Sequence, residues 1–304
     1  MVRRSVDGAA MTKRIKNPAI PDAVVEVSLN SENAEAEVRR RYEDGNLIIL
    51  RDFRFDLDYK FLASVSLDGD GPPEYRRKLK KFPMEKIKNL EPSTTDSFQR
   101  FVLDVVFGGD IGRLNYFREQ ATSGDRQVYE LYRRLFPRYD EYKTIYSWRF
   151  TETMYENLHW DNLKTSDDFQ QVRVFANLDD RPRLWCISER IDSFAARTYE
   201  ELGLARFSRE TPDRFAHALN NQILGGMEGA CLDPMQRHHL AFAPGEVWLC
   251  ESRLVSHQIY SGYRASAAMF YVKPESMDDP ELRFNARIHR LHETKAVRQD
   301  FQQA

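Results

Sequence analysis

The chain has 304 residues, a formal net charge of −2, 41% hydrophobic residues and 12% aromatic residues. This is enough apolar material for one large core, and the near-balanced charge excludes nucleic acid as a default partner. Three widely spaced cysteines (Cys186, Cys231 and Cys250) exclude a disulfide framework and a thiolate zinc site, and they point to a reducing compartment.

The N-terminal stretch MVRRSVDGAAMTKRIKNP is basic but lacks the apolar segment of a secretory signal, and residues 1–18 read as a flexible tail. No run approaches the roughly 20 apolar residues of a membrane span. The expectation is therefore a cytoplasmic protein with no transmembrane segment. VVEVSL at 24–29 reads as a strand, Asn30 or Ser31 as the cap of a polar helix reaching about Tyr42, and LIILRDF as a second strand after the Gly45-Asn46 turn. DGDGPP at 68–73 is a loop, and YRRKLKKF after it is a basic amphipathic stretch best read as a solvated helix face. Apolar residues at helical spacing predict helices over 95–107 and 125–136, the second ended by Pro137.

From about Lys143 the texture changes to short β-prone runs between turns: YKTIYSWRFT, YENLHWDN, VRVFANLDD, RLWCIS, HHLAFAPGEVWLCE, RLVSHQIY and YRASAAMFYV. Such runs predict a β-sandwich or barrel. Helical stretches at 191–202 and 211–223 interrupt them, and a last helix is expected at about 280–300. The outline is an α+β protein with a single domain over 19–304. It would be helix-rich over 19–142 and a β core over 143–273, with the C-terminal helix at 280–300.

His159-Trp160-Asp161 lies in one of the β-prone runs. Strand side chains alternate, so His159 and Asp161 share a face while Trp160 points into packing. An imidazole beside a carboxylate supplies two ligands of a facial triad. Of the downstream candidates His217, His238, His239, His257 and the pair His289/His292, His257 is best placed, at the end of a β-prone run. The following Ser261-Gly262 reads as a two-residue hairpin turn, which would pair His257 with Ser266 and Ile259 with Arg264. That register would bring Arg264 and Ser266 to the face of the metal ligands, an arginine–serine pair suited to a carboxylate.

H-x-D, a distant histidine and Arg-x-Ser together resemble the iron(II)/2-oxoglutarate-dependent dioxygenases, over roughly residues 143–273. The resemblance implies a double-stranded β-helix (a jelly-roll, cupin-like core) with helical N- and C-terminal additions. It implies iron(II) on His159, Asp161 and His257, with 2-oxoglutarate anchored by Arg264 and Ser266. It also implies hydroxylation of an unactivated C–H bond with O2, releasing succinate and CO2. The aspartate at 161 separates the chain from the family's halogenases. Leu135-Phe136-Pro137-Arg138-Tyr139, Ser147-Trp148-Arg149, Leu158-His159-x-Asp161, Val172–Asn177 and Arg183-Leu184-Trp185 further resemble the bacterial Kdo hydroxylases. NLKTSDDFQQ after Asp161 departs from that pattern, as does the SRLVSHQIYSGYRASAAMF segment.

Arg173 either binds a carboxylate of co-substrate or substrate, or pairs with an acid at the core edge. Tyr146, Trp148, Arg149, Arg183 and Trp185 are candidate substrate-pocket residues, each with core packing as its alternative. The expected substrate is a polar small molecule: an amino acid, a sugar acid or a biosynthetic intermediate. Alternatives are a Kdo-type sugar-acid hydroxylase, a cupin metalloenzyme without 2-oxoglutarate, and a non-catalytic ligand-binding sandwich.

Overall fold

A computed structural model describes residues 12–65, 74–75, 87–150, 153–154, 157–163, 167–223 and 235–303. In chain order, the N-terminal half gives β1 (Lys13–Ile15), β2 (Val24–Ser28), α1 (Ala34–Glu43), β3 (Leu47–Arg51), α2 (Tyr59–Ser64) and α3 (Ser97–Phe101). A π-helical turn (Val102–Val106) continues α3, and the long α4 (Ile111–Leu135) follows. Then come β4 (Glu141–Arg149), β5 (Thr153–Met154), β6 (Gln170–Asn177), β7 (Arg183–Arg190), α5 (Ile191–Thr198) and α6 (Pro212–Ile223). The chain closes with β8 (His238–Phe242), β9 (Val247–Leu249), β10 (Val255–Gly262), β11 (Ala265–Val272) and α7 (Phe284–Gln303). The DGDGPP loop, most of the YRRKLKKF stretch and Cys231 lie outside the described residues.

The strands form two sheets. One has the order β1-β8-β7-β10-β5, and the other β2-β3-β9-β6-β11-β4. They meet face to face through an apolar layer. Phe175, Trp248 and Ala267 of the six-stranded sheet pack there against Trp185, Ile187, Leu240, Phe242 and Ile259 of the five-stranded sheet. Phe242 stacks on Trp248 with ring centroids 3.8 Å apart, and Trp185 meets Trp248 edge-on at 5.2 Å. The six-stranded sheet is covered on its other face as well. Val172, Val174, Ala176, Ala268, Phe270 and Trp148 pack against α1 and α4 through Val38, Tyr42, Leu114, Phe117 and Tyr132. Each residue of β6 is buried, as expected of a strand with helices on one side and a second sheet on the other.

Three features differ from the sequence reading. The tail does not extend to residue 18: β1 pairs antiparallel with β8, Lys13 opposite Ala241. The β core is not confined to 143–273: the two strands expected near the N-terminus, β2 and β3, pair in parallel and β3 joins β9, extending the six-stranded sheet. And α4 starts at Ile111, well before 125. Asp110 caps it, its side chain accepting from the Arg113 amide at 3.0 Å. The helix signal is weak there because Gly112 and Gly124 interrupt it. Gly124 is needed for packing, since a Cβ there would lie 2.9 Å from Trp148 Cζ2. No helix among the described residues is long and apolar enough to cross a membrane.

Candidate metal centre

The His159-Trp160-Asp161 segment is not a regular strand. Its backbone is fixed by borrowed partners. His159 and His257 exchange both backbone hydrogen bonds (3.1 and 2.9 Å), an isolated antiparallel bridge. The Asn220 side chain of α6 replaces a neighbouring strand at Trp160, with Oδ1 accepting from its N–H at 3.1 Å and Nδ2 donating to its carbonyl at 2.7 Å. The Asp161 N–H donates to the Ser252 carbonyl at 2.9 Å. Trp160 itself is fully buried in a helical cluster with Phe194 and Leu219, as its odd position in H-x-D requires.

These restraints bring the ligand atoms of His159, Asp161 and His257 within 4.8 Å of one another. Asp161 Oδ1 lies 3.3 Å from His159 Nε2 and 3.8 Å from His257 Nε2. Each imidazole turns its Nδ1 to a backbone carbonyl, His159 to Asn157 at 2.6 Å and His257 to Val255 at 3.1 Å. That bond protonates Nδ1 and leaves the Nε2 lone pair facing the common centre, the tautomer a metal ligand needs. Burial, followed by the charge of His159, pushes His257 down to about 4, so it is neutral at physiological pH. Burial would raise the Asp161 carboxyl, but the Arg173 guanidinium and the two histidines hold it well below the usual carboxylate range. Two imidazoles and one carboxylate make a hard-to-borderline N/O donor set suited to a divalent first-row metal.

Of the other five histidines, His289 is exposed on α7 and the remaining four are engaged elsewhere. His238 contacts Asn17 and Pro21, His239 contacts Cys186, and His292 lies 2.6 Å from the Tyr199 hydroxyl. His217 sits beside Asn162 and Asn221. A cleft of about 540 Å³, lined by Pro21, Phe194, Arg197 and Met235 among others, contains none of the triad.

The expected hairpin does not form. β10 runs through Ser261-Gly262 and lies between β7 and β5, whereas β11 lies between β6 and β4 in the other sheet. Tyr263 and Arg264 carry the chain across. Ser266 therefore shares a face with Ala268 and Phe270, against the helices, and not with His257. Arg264 is also turned to that side, donating to the Val65 carbonyl at 2.8 Å and to Asp179 Oδ2 at 2.7 Å. Tyr146 and Trp148 occupy the helical side too. Trp148 donates from Nε1 to Asp125 of α4 at 2.9 Å, so both are packing residues and do not line a pocket beside the triad.

Alternation and register place the remaining candidates between the sheets. Trp185 stacks on the His257 ring at 5.6 Å. Arg183, two residues along β7, shares its face and is almost fully buried. Arg149 pairs with Ala265, on the face opposite Trp148. Arg173 resolves to the acid-pairing alternative, and the acid is the triad's own. Its Nη1 donates to Asp161 Oδ2 and to Ser252 Oγ, the latter at 2.8 Å. Ser252, in the turn after β9, was not legible as a site residue, because Glu-Ser-Arg carries no motif.

A sequence model of the 3-deoxy-D-manno-oct-2-ulosonic acid (Kdo) hydroxylases matches residues 125–295, more than half of the chain. The chain belongs to the Kdo hydroxylase family. No curated protein matches it. Among solved structures it is similar to the Kdo hydroxylase KdoO, a non-haem Fe(II) α-ketoglutarate-dependent dioxygenase, in complex with succinate and Fe(III). The two are 17% identical with a TM-score of 0.59, over 91% of this chain and 96% of that one. KdoO with α-ketoglutarate and Fe(III) gives 15% identity and a TM-score of 0.59, and KdoO with cobalt(II) 17% and 0.58. At such identity the likeness speaks for the fold.

Proposed function

We propose that the chain hydroxylates a C–H bond of a Kdo-type sugar acid, using iron(II) held by His159, Asp161 and His257, with 2-oxoglutarate as co-substrate. The observation that carries this reading is the convergence of the three ligand atoms, with both imidazoles turned Nε2-inward by their backbone contacts. Family membership selects the sugar acid over the broader class of polar small molecules. The eight strands β4-β11-β6-β9 and β5-β10-β7-β8 follow the order of a double-stranded β-helix, which supports the same reading.

Two donors beside the triad fit an anionic ligand. Trp185 Nε1 and Arg173 Nε are buried without a hydrogen-bond partner among the described residues. A buried N–H left unpaired is costly, and a carboxylate or keto oxygen would satisfy it. The side chains facing them from the other sheet are small: the inward positions of β11 are Ala265 and Ala267, beside Ser147 of β4. Arg149 and Arg183 stand at its far end, one to two side-chain rows of about 6–7 Å from the triad. They are the groups we assign to the far carboxylate of 2-oxoglutarate, in place of Arg264.

When bound, the metal would chelate the keto acid and activate dioxygen. The chain's own residues do the rest. His159, Asp161 and His257 would hold the ion. Trp185, Phe175 and Trp248 line a water-poor inter-sheet wall. Arg149 and Arg183 hold the co-substrate by its distal charge, so that its reactive end stays at the triad.

The test is succinate formation by the iron-loaded protein with 2-oxoglutarate and a Kdo glycoside. The expected result is Kdo-dependent succinate and a product heavier by one oxygen. Uncoupled succinate formation alone, unchanged by any Kdo acceptor, would contradict the substrate assignment.

A further inference from the structure

The two carboxylate oxygens of Asp161 are treated differently. Oδ1 faces His159 Nε2 and His257 Nε2 at 3.3 and 3.8 Å. Oδ2 is taken by two donors, Arg173 Nη1 and Ser252 Oγ, the hydroxyl at 2.6 Å. Both donors are built into rigid surroundings. The Ser252 hydroxyl also lies 3.1 Å from Gln171 Oε1, and Ser252 sits between Glu251 and Arg253, a buried ion pair at 3.0 Å. Glu251 Oε2 accepts from the Gln171 amide at 2.8 Å, and Arg253 Nη2 donates to the Phe169 carbonyl at 2.8 Å, which locks that turn to β6. Arg173 is 9% exposed, with its guanidinium over the Phe175 ring at 4.8 Å. Its backbone N–H donates to the Tyr42 hydroxyl at 3.1 Å, just past the last β6–β9 pair, Val174 with Leu249.

We infer that Arg173 and Ser252 are positioning residues that hold Asp161 as a one-oxygen ligand. This rests on the triad reading above. An oxygen already accepting two hydrogen bonds, one from a cation, is a poor metal donor, so the ion takes Oδ1 alone. The count of coordination positions makes the consequence concrete. Three protein donors on an octahedral ion leave three positions, two for a chelating keto acid and one for dioxygen. If Oδ2 also bound, the keto acid would fill what remained and dioxygen would have no place. The clamp thus preserves the open position without touching any reacting atom.

The experiment uses Mn(II), which binds such a site without reacting with oxygen. Mn(II) affinity is measured by calorimetry for the wild type, Arg173→Gln, Ser252→Ala and Asp161→Ala, followed by 2-oxoglutarate affinity of each Mn(II)-loaded protein. Difference infrared spectra of the aspartate carboxylate on metal binding report whether one or two oxygens are engaged. Ser252→Ala removes a single hydroxyl and serves if Arg173→Gln does not fold. The expected result is metal affinity weakened about 10–100-fold in both clamp variants. 2-Oxoglutarate binding should weaken with it, and the carboxylate bands should move toward the two-oxygen pattern. The inference is overturned if both variants bind Mn(II) and 2-oxoglutarate within twofold of wild type with unchanged bands, while Asp161→Ala loses the metal. Wild-type Mn(II) affinity in Asp161→Ala would instead remove the ligand assignment itself, and this inference with it.

Discussion

Gly262 shows how a single residue type can be read for the wrong reason. Ser261-Gly262 has the composition of a hairpin turn, but β10 continues through it. The glycine is required by a neighbour: a Cβ there would lie 2.5 Å from Arg183 Nη1 and 2.7 Å from its Cγ. Arg183 is only 2% exposed and has little room to retreat. Gly262→Ala should therefore displace the guanidinium, costing about 1–3 kcal/mol by overpacking. It should also weaken 2-oxoglutarate at least tenfold by calorimetry while leaving Mn(II) affinity intact. Unchanged 2-oxoglutarate affinity would remove Arg183 from the co-substrate site. The same misread turn placed Arg264 and Ser266 beside His257. Composition indicates that a turn residue is present; it does not show whether both strands' edges are already taken, as they are here by β7 and β5 and by β6 and β4.

At the scale of the element, the H-x-D segment explains why its chemistry was legible and its support was not. Two residues of spacing suffice to put His159 and Asp161 together, and Trp160 in the core follows from the same alternation. What holds the segment is long-range: the backbone of His257, the carbonyl of Ser252 and the amide of Asn220, none of which the local sequence announces. Asn220→Ala leaves a buried N–H and a buried carbonyl of Trp160 without partners, a loss of about 2–4 kcal/mol. Urea denaturation should show that loss, with Asn220→Asp intermediate because it can accept but not donate. A change under about 0.5 kcal/mol would mean that Asn220 does not hold the motif. β4 and the strands from β6 onward were readable as short β-prone runs between turn signals, whereas the two-residue β5 (Thr153–Met154) was not among them. The first half of α4 was not, because Gly112 and Gly124 break the helix signal while tertiary packing against Trp148 favours it.

At the scale of the molecule, the six-stranded sheet joins the helical half to the candidate metal centre. Its outer face packs on α1 and α4, and its inner face carries Arg173 against Asp161. Tyr42 of α1 makes the link direct, its hydroxyl accepting from the Arg173 amide and donating to the Gln171 carbonyl at 2.8 Å. The two-sheet core and the convergence of His159, Asp161 and His257 were accessible from pattern and spacing. The division of strands between sheets was not, because sequence neighbours such as β10 and β11 need not be partners, and the side facing the site depends on that division. If the three-residue face binds one divalent metal, anaerobic calorimetric titration of Fe(II) into the wild type, His159→Ala and His257→Ala will show it. The expected result is one Fe(II) per chain in the wild type and at least a hundredfold weaker binding in each variant. No Fe(II) binding by the folded wild type, or equal binding in the two variants, would contradict it.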